Sequence, residues 1–191
     1  MQLLYETLHP GTPLGTGDRA HIAAAFQPLQ LHPGDHFVRF GQHRLRLGFI
    51  AVGSVADVEL NDGVETVRWI YSEGAFVGDL PNFLARQPAS LALRATEATT
   101  LYTLTYDGLL ELRRSVRGWP QIEQRLLGSC ILNLREQLAT NQQLTAPERY
   151  HRFFEQRGEL FNRIPHKTIA SFLNMSPETL SRIRRKQVSV S

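Results

Sequence analysis

Residues 164–186 read IPHKTIASFLNMSPETLSRIRRK and have the pattern of two short helices separated by a tight turn. Pro165 favours the start of the first helix, because its missing N–H costs nothing there. This first helix is predicted over 166–173, where three apolar side chains share a face: Ile169, Ala170 and Leu173. The small residue at position 170 lets a second helix cross closely.

The turn and the second helix have their own signals. Asn174 tolerates the left-handed conformation that ends a helix. Ser176 then caps the second helix, Pro177 takes its first position, and Glu178 lies beside the positive end of the helix dipole. Leu180 and Ile183 face inward, and Met175 fills the corner. The stretch therefore predicts a helix-turn-helix.

The outward face of the second helix is predicted to read DNA bases. A glutamate accepts from the cytosine amino group, and an arginine donates two hydrogen bonds to guanine in the major groove. The predicted base readers are Glu178, Thr179, Ser181, Arg182 and Arg185. The predicted DNA-backbone contacts are His166, Lys167, Ser176, Arg184 and Lys186. Any helical hairpin with a polar turn has a similar pattern, so the alternative is a purely structural hairpin.

The charge distribution agrees with this interpretation. Residues 1–147 carry 12 Lys/Arg against 14 Asp/Glu, a balance of −2, whereas residues 148–191 carry 9 against 4, a balance of +5. An acidic body with a basic terminal part is expected of a nucleic-acid binder. On charge alone, a solvated helical face explains the asymmetry equally well.

The region from Leu31 to about Tyr106 is predicted to be β-structure. Short runs rich in Val, Ile, Thr and aromatic residues alternate with turn residues. The triplet Asn61-Asp62-Gly63 between two such runs predicts a hairpin, because its turn needs positive φ. Many short strands at this spacing favour a jelly-roll β-barrel. Before it, residues 1–29 are helix-like, with a start near Gly17–Asp18.

A long helix is predicted from Trp119 to about Leu144. Apolar residues recur at spacings of four, three and four, and a polar residue continues the stripe: Leu127, Ile131, Leu134, Leu138 and Asn141. This narrow stripe is typical of a two-helix dimer contact, with Asn141 fixing the register. The alternative is a stripe that packs back on the β-domain.

A second helix start follows directly. Thr145 and Glu148 have the spacing of a capping box, and Pro147 is tolerated in the first turn. The next segment predicts an amphipathic helix with Tyr150, Phe153 and Phe154 inward. Residues 145–148 are a candidate hinge.

These patterns predict an α+β fold in three parts. Residues 1–117 form a β-roll effector-like domain with an N-terminal helix, residues 118–144 a dimerisation helix, and residues 145–191 a helix-turn-helix DNA-binding domain. The 191 residues are enough to bury a core of this size.

The composition excludes several classes of protein. No apolar run approaches the roughly 20 residues that span a bilayer, and the first residues lack the basic and apolar regions of a signal peptide. The single cysteine, Cys130, excludes an internal disulfide and any four-thiolate metal site. We therefore expect a cytoplasmic protein that does not bind membranes.

The order of β-roll, long helix and helix-turn-helix resembles the Crp/Fnr family of bacterial transcription regulators, across nearly the whole chain. The stretches that carry the resemblance are HPGD at 32–35, EGAFVGDLPNFLARQPASLALRA at 73–95 and MSPETLSRIRR at 175–185. The resemblance implies a homodimer, double-stranded DNA and RNA polymerase as partners, no enzyme activity, and base reading by Glu178, Ser181 and Arg182. It also implies a cyclic nucleotide-binding-like domain with an effector pocket at Gly78, Asp79, Leu80, Ser90 and Arg94.

Two departures from the family pattern change these expectations. Members that bind cyclic AMP carry Gly-Glu and Arg-Ser-Ala, whereas this chain has Gly78-Asp79 and Ala89-Ser90-Leu91, so the arginine for the cyclic phosphate is absent. Losing the ion pair between that arginine and the cyclic phosphate costs several kcal/mol. We therefore expect an unknown effector or none, with no certain cofactor. The stretch QVSVS after the second helix is too short for the family's β-hairpin wing. We therefore expect a short form of the family that lacks the wing.

Two other classes of function remain as alternatives. A cupin-like metal enzyme needs histidines two apart on a strand, but His32, His36 and His43 are spaced four and seven, so we expect surface histidines and no metal. The glycine-rich GTPLGTGDRA follows no strand and lacks the lysine of a phosphate loop. The second alternative is a β-roll sensor that binds a protein instead of DNA.

Overall fold

The structure is a computed structural model that describes residues 1–8, 14–61 and 64–188, without the side chains of residues 61, 133–134, 136–143 and 186–188. Its described part contains both helices and antiparallel strands, so the expected α+β class is confirmed. The predicted turn residues Asp62 and Gly63 lie outside the described residues, and so does the end of the expected wingless tail, 189–191.

Eight strands are present in the described residues, and they form two four-stranded antiparallel sheets. The first sheet has the order β1-β8-β3-β6 and the second has the order β2-β7-β4-β5. The strands are β1 (Phe26–Leu31), β2 (His36–Val38), β3 (Leu47–Val52), β4 (Val55–Asn61), β5 (Val64–Tyr71), β6 (Phe76–Val77), β7 (Ala92–Ala95) and β8 (Thr99–Leu104).

Strands of both sheets contribute buried side chains to the main core of the protein. Phe49 and Ile50 of β3, Leu93 of β7 and Leu101 of β8 are all buried in it. Strand pairing closes neither sheet onto the other within the described residues, so the β-part is a pair of sheets and not the closed barrel that the sequence suggested. Strands β4 and β5 pair up to Asn61 and Val64, as the predicted hairpin requires.

The helices surround this pair of sheets and continue beyond it. They are α1 (Gln2–Leu8), α2 (Thr16–Ala25), α3 (Leu80–Ala85), α4 (Tyr106–Ser115), α5 (Trp119–Gln143), α6 (Ala146–Arg157), α7 (His166–Phe172) and α8 (Pro177–Val188), with a 3-10 helix at Gly158–Asn162. No helix in residues 1–8, 14–61 and 64–188 has both the length and the apolar character needed to cross a bilayer.

The N-terminal region differs from the expectation in one respect. The sequence FQPL looked like the end of a helix, but Phe26–Leu31 is an edge strand that pairs with β8. An edge strand tolerates Pro28, whose missing N–H needs no partner on the solvent side. Tertiary pairing therefore overrides the local helical pattern here.

Among the described side chains of helix α5, those buried in the core lie at its start. Trp119 and Ile122 are almost fully buried, whereas Ile131 is 60% exposed and Leu132 is 63% exposed. The described members of the predicted apolar stripe therefore lie beyond the buried part of α5. Of its members, Leu127 and Ile131 are exposed, and the side chains of Leu134, Leu138 and Asn141 lie outside the described residues.

A second core joins the C-terminal helices to the outer face of the second sheet. Trp69 of β5 packs edge-on against Phe172 of α7, with ring centroids 5.3 Å apart. The Ser171 hydroxyl accepts a hydrogen bond of 2.9 Å from the Val67 N–H. Phe154, expected to face inward, is 52% exposed, because Tyr150 and Phe153 already fill this core.

An ion-pair network fixes the same contact from its edge. The Arg163 guanidinium donates to the carboxylates of Glu73 and Glu97, which follow different strands of the β-part. Although burial raises the pKa of Glu73, hydrogen bonds from Arg163 and from the backbone hold it below its usual value. The C-terminal helices are thus held against the sheet by both apolar packing and charge.

Candidate nucleic-acid interface

The candidate interface is built on helix α6, whose N-terminus confirms the predicted capping box. Thr145 N–H donates to the Glu148 carboxylate at 2.7 Å, and the Glu148 N–H donates to the Thr145 side-chain oxygen in return. The Thr145 hydroxyl also donates to the carboxylate at 2.6 Å, and this bond and the one from the Thr145 N–H lower the pKa of Glu148. They set the direction of α6, which carries the next positioning residue.

Arg149 holds the turn between α7 and α8, a role that the sequence did not predict. Its guanidinium donates to the carbonyl oxygens of Leu173 at 2.7 Å, Leu144 at 2.6 Å and Asn174 at 3.1 Å. Carbonyls at the end of a helix lack intrahelical partners, and a cation is favourable at that end of the helix dipole. One side chain of α6 therefore positions the two helices that follow.

The turn itself is a Schellman motif. Asn174 has φ 50°, as its sequence position predicted. Its N–H donates to the Ser171 carbonyl at 3.0 Å, and the Met175 N–H donates to the Ala170 carbonyl at 3.0 Å. The chain reverses within four residues, which brings α8 back across α7.

The orientation of α8 agrees with the prediction. Leu180 is buried in the second core, and Met175 and Ile183 pack partly against it. Three of the predicted base readers, Glu178, Ser181 and Arg182, are exposed, as is Arg185, and Thr179 is half-buried. A contiguous polar and cationic face thus points to solvent along α8.

The first turn of α8 shows why Ser176 and Glu178 occupy their positions. The Thr179 N–H donates to the Ser176 hydroxyl oxygen at 3.2 Å, which confirms the predicted cap. Hydrogen bonds from the Glu178 backbone and from Ser176 lower the pKa of Glu178. Its carboxylate therefore stays anionic at neutral pH and can accept hydrogen bonds.

Two of the predicted backbone contacts lie together between α7 and α8. Arg184 Nη1 is 2.8 Å from His166 Nε2, and the Arg184 guanidinium lies 5.6 Å from the centre of the Phe161 ring. Because a guanidinium only donates, His166 Nε2 would be the acceptor in a hydrogen bond between the two groups. Both residues line a cavity of about 480 Å³ together with Ser181 and Arg185.

The remaining predicted DNA-backbone contacts are two lysines. Lys167 is exposed in the first turn of α7. The side chain of Lys186 lies outside the described residues. The structure thus places every described member of the predicted set on α7, on α8 or in the turn that joins them.

The predicted effector region has a different character. Gly78 has φ 150°, and a Cβ there would lie 2.8 Å from Leu47 Cδ2, so only glycine fits. Asp79 is buried and accepts hydrogen bonds from Ser90 N–H at 2.7 Å, Ser90 Oγ at 2.8 Å and Asn82 Nδ2 at 2.9 Å. Burial raises the pKa of Asp79, but these bonds outweigh it and lower the pKa. The carboxylate caps α3 and is fully occupied by its own chain.

The structure does not bring all the predicted effector residues together. Arg94 donates two hydrogen bonds to the Glu65 carboxylate, on the face of β7 opposite to the buried Leu93. Leu80 is half-buried in the first turn of α3. Arg86, which lies between Asp79 and Ser90 in the sequence, has its guanidinium 5.3 Å from the centre of the Tyr106 ring.

The three histidines of the metal hypothesis are also separate. His32 and His43 are exposed, and His36 lies on β2 with its pKa lowered by burial and by neighbouring arginines. Within the described residues, no three His, Cys, Asp or Glu side chains are grouped as metal ligands.

The overall arrangement is similar to that of solved transcription regulators. The c-di-GMP-responsive global regulator CLP of Xanthomonas campestris aligns with a TM-score of 0.70 and 17% identity, over 92% of this chain and 92% of that one. FixK2 from Bradyrhizobium japonicum aligns with a TM-score of 0.71 and 15% identity, over 86% and 85%. A Crp/Fnr-family regulator from Eubacterium rectale gives 0.69 and 15%, over 92% and 85%.

The chain has the fold of Crp/Fnr regulators. No family model matches its sequence, and no curated protein matches it either. The likeness to the solved structures covers about nine-tenths of the chain. At these identities it is the fold that is shared.

Proposed function

We propose that this chain is a DNA-binding transcription regulator of the Crp/Fnr type, whose helix-turn-helix consists of α7 and α8. The observation that carries the proposal is the outward face of α8. Its apolar side is buried, while Glu178, Ser181, Arg182 and Arg185 are exposed to solvent. A short, rigidly capped helix with such a face fits the major groove.

The contacts divide by their roles. Glu178, Thr179, Ser181, Arg182 and Arg185 would contact base edges. His166, Lys167, Ser176, Arg184 and Lys186 would contact phosphates, which set the position of the helix without reading sequence. Because Arg184 already binds His166, we assign this pair to one phosphate site at the junction of α7 and α8.

We propose that the protein acts as a homodimer through α5. The exposed Leu127, Ile131 and Leu132 lie on a helix that extends beyond the β-part. A second copy packed along α5 would present two α8 helices to half-sites about 34 Å apart, one turn of the duplex. The operator would then have two-fold symmetry.

The β-part would not bind cyclic AMP in the usual way. Asp79 is engaged by Asn82 and Ser90, so a ribose hydroxyl would have to displace those donors. Arg94 is paired with Glu65. Titrating cyclic AMP into the protein should therefore give no saturable heat in a calorimeter, and micromolar binding would contradict this part of the proposal.

A second candidate function is a sensor that binds a protein partner through the same face. The two functions differ in their response to salt. DNA binding weakens by about 0.9 log units per log unit of salt for each phosphate neutralised. A contact driven by shape would respond far less.

The test is to select genomic fragments with the purified full chain and to sequence them. The proposal predicts one shared sequence with two-fold symmetry and two half-sites one helical turn apart. Retained fragments without a common sequence would contradict sequence-specific reading. An Arg182→Ala, Arg185→Ala double variant is the control, and it should retain fragments without enrichment of that sequence.

A further inference from the structure

A second cavity lies on the β-part, and no described residue of α6, α7 or α8 lines it. It has a volume of about 620 Å³, within the range of roughly 300–1,000 Å³ that is usual for small-molecule sites. It is formed by the β2–β3 loop, α3 and the start of α4. We call it the arginine cavity; its lining residues are 43–46, 82–83, 86–87 and 105–107.

The lining of the arginine cavity is strongly cationic. Arg44, Arg46 and Arg86 line it together with one aspartate, Asp107, so its formal charge is +2 with His43 neutral. Within the described residues, none of these three arginines is in an ion pair. Three arginines that line one concave space form a candidate site for an anion with several oxygens.

The backbone holds two of these arginines in a conformation that disfavours them. Among the described residues, only Arg44, Arg86 and Asn174 have positive φ without being glycine. Asn174 is a residue type suited to that conformation, but arginine is not. Glycine would relieve the strain at Arg86, which ends α3 in the left-handed region. Backbone strain of this kind is concentrated at functional sites.

Hydrogen bonds and burial hold the β2–β3 loop that lines the cavity. Gly41 N–H donates to the Ala89 carbonyl at 2.8 Å, and Ala89 N–H donates to the Gln42 carbonyl at 2.9 Å, so the β2–β3 loop is tied to the segment after α3. Leu45 is buried in the main core. The arginines on either side of it, Arg44 and Arg46, are therefore presented from a rigid loop.

An aromatic surface completes the site. The Arg86 guanidinium lies 5.3 Å from the centre of the Tyr106 ring, which in turn packs edge-on against the buried Phe83. A guanidinium is planar, and an aromatic ring beneath it restricts the directions in which the group can turn. Arg86 is thus oriented before any ligand arrives.

We propose that the arginine cavity binds a small phosphorylated molecule, with its phosphate oxygens between Arg44, Arg46 and Arg86. The cavity lining contains none of the five predicted effector residues, although its residues 82–83 and 86–87 lie between Asp79 and Ser90 in the sequence. Binding there does not depend on DNA binding. Inorganic pyrophosphate contains the chemical group that would be recognised, and we choose it as the probe.

The test is calorimetric titration of pyrophosphate into the full chain. The proposal predicts saturable binding of one pyrophosphate per chain, weakened about tenfold or more by Arg46→Gln and by Arg86→Gly. Arg86→Gly should at the same time leave the melting temperature unchanged or raised, because glycine suits positive φ. That combination separates a lost ligand contact from a folding defect.

Two further variants make the test specific. Arg39→Gln removes an exposed arginine of the same loop that does not line the cavity, and it should change the affinity by less than about twofold. Asp107→Asn removes the one negative charge of the lining and should tighten binding. An absence of saturable binding would overturn the proposal, and so would equal losses of affinity in Arg39→Gln and Arg46→Gln. A loss of affinity only in Arg184→Gln would place the pyrophosphate in the cavity between α7 and α8 and would also overturn it.

Discussion

Single side chains on α8 have separable roles in the proposed interface. Leu180 of α8 is buried, whereas Arg182 is exposed to solvent. Arg182→Ala should weaken binding to the selected operator by about 1–3 kcal/mol and relax selectivity at one base pair of each half-site. The measurement is a fluorescence-anisotropy titration over a set of single-base operator variants.

Lys167 and an arginine remote from the interface provide the comparison for Arg182. Lys167→Ala should weaken all sequences equally and reduce the slope of log affinity against log salt by about 1. Arg114→Ala, on the exposed surface of α4, should change neither property. If Arg182→Ala weakened every operator variant equally, its role as a base reader would be wrong.

A buried carboxylate on β4 makes stability depend on pH. Asp57 is 7% exposed, and its Oδ1 has no hydrogen-bond partner among the described residues. Burial raises the pKa of Asp57 from 3.8, and this outweighs the opposite effect of Arg68. Since the folded state binds this proton more tightly, the contribution of Asp57 to stability falls as pH rises from about 4 through its raised pKa.

Asp57→Asn should remove the loss of stability that accompanies ionisation of Asp57 at rising pH. At pH 7 the variant should have a free energy of unfolding about 1–3 kcal/mol higher than the wild type, because it no longer buries an uncompensated charge. At pH 4 the two proteins should unfold at nearly the same denaturant concentration. Urea unfolding at both pH values measures the difference, and a difference that is independent of pH would refute this explanation.

At the scale of elements, the pair α7–α8 depends on a residue from α6. Arg149→Ala removes three hydrogen bonds from a cation to carbonyl oxygens, and it should destabilise the protein by about 1–3 kcal/mol. Arg149→Lys should be nearly as harmful, because an ammonium cannot span three carbonyls as a planar guanidinium does. Chemical denaturation measures both variants.

The matched control for Arg149 is again Arg114→Ala, and the second readout is operator affinity in native buffer. Arg149→Ala should weaken DNA binding without relaxing base selectivity, since it contacts the turn and not the bases. Unchanged stability in both Arg149 variants would show that the turn is held by its own backbone bonds.

The accuracy of the sequence-based predictions depended on how local each signal was. The capping box at Thr145 and the left-handed Asn174 involve residues at most five positions apart, and both were predicted from the sequence. Arg149 contacts a residue 25 positions away, and Arg163 contacts one 90 positions away. Such pairs have no periodicity in the sequence, so only the folded chain reveals them.

The same distinction explains the two misjudged segments. Strand β1 exists because β8 is available to pair with it, a contact about 75 residues away in the chain. Phe154 was expected to be inward from helical periodicity, but of the three aromatic residues Tyr150 and Phe153 are buried in the second core and Phe154 is exposed. Periodicity identifies an apolar face, whereas packing decides how wide it is.

At the scale of the whole molecule, the proposed two-fold symmetric operator requires two copies of the chain. The exposed Ile131 on α5 lies on the proposed dimer face, and Ile131→Asp would place a charge in that contact. Sedimentation should show a dimer for the wild type and a monomer for this variant. Leu60→Asp is the control, because Leu60 is 72% exposed on β4, far from α5 in the sequence, and it should stay dimeric. A monomeric wild type would refute the symmetric-operator model.

The decisive measurement is the protection of guanine N7 from methylation on a selected operator, since N7 lies in the major groove. We expect the wild-type dimer to protect guanines in two half-sites centred about 10 base pairs apart. Arg182→Ala should lose protection of one guanine in each half-site and keep the others. Binding that protects no guanine N7, or an Arg182→Ala pattern identical to that of the wild type, would show that α8 does not read the major groove.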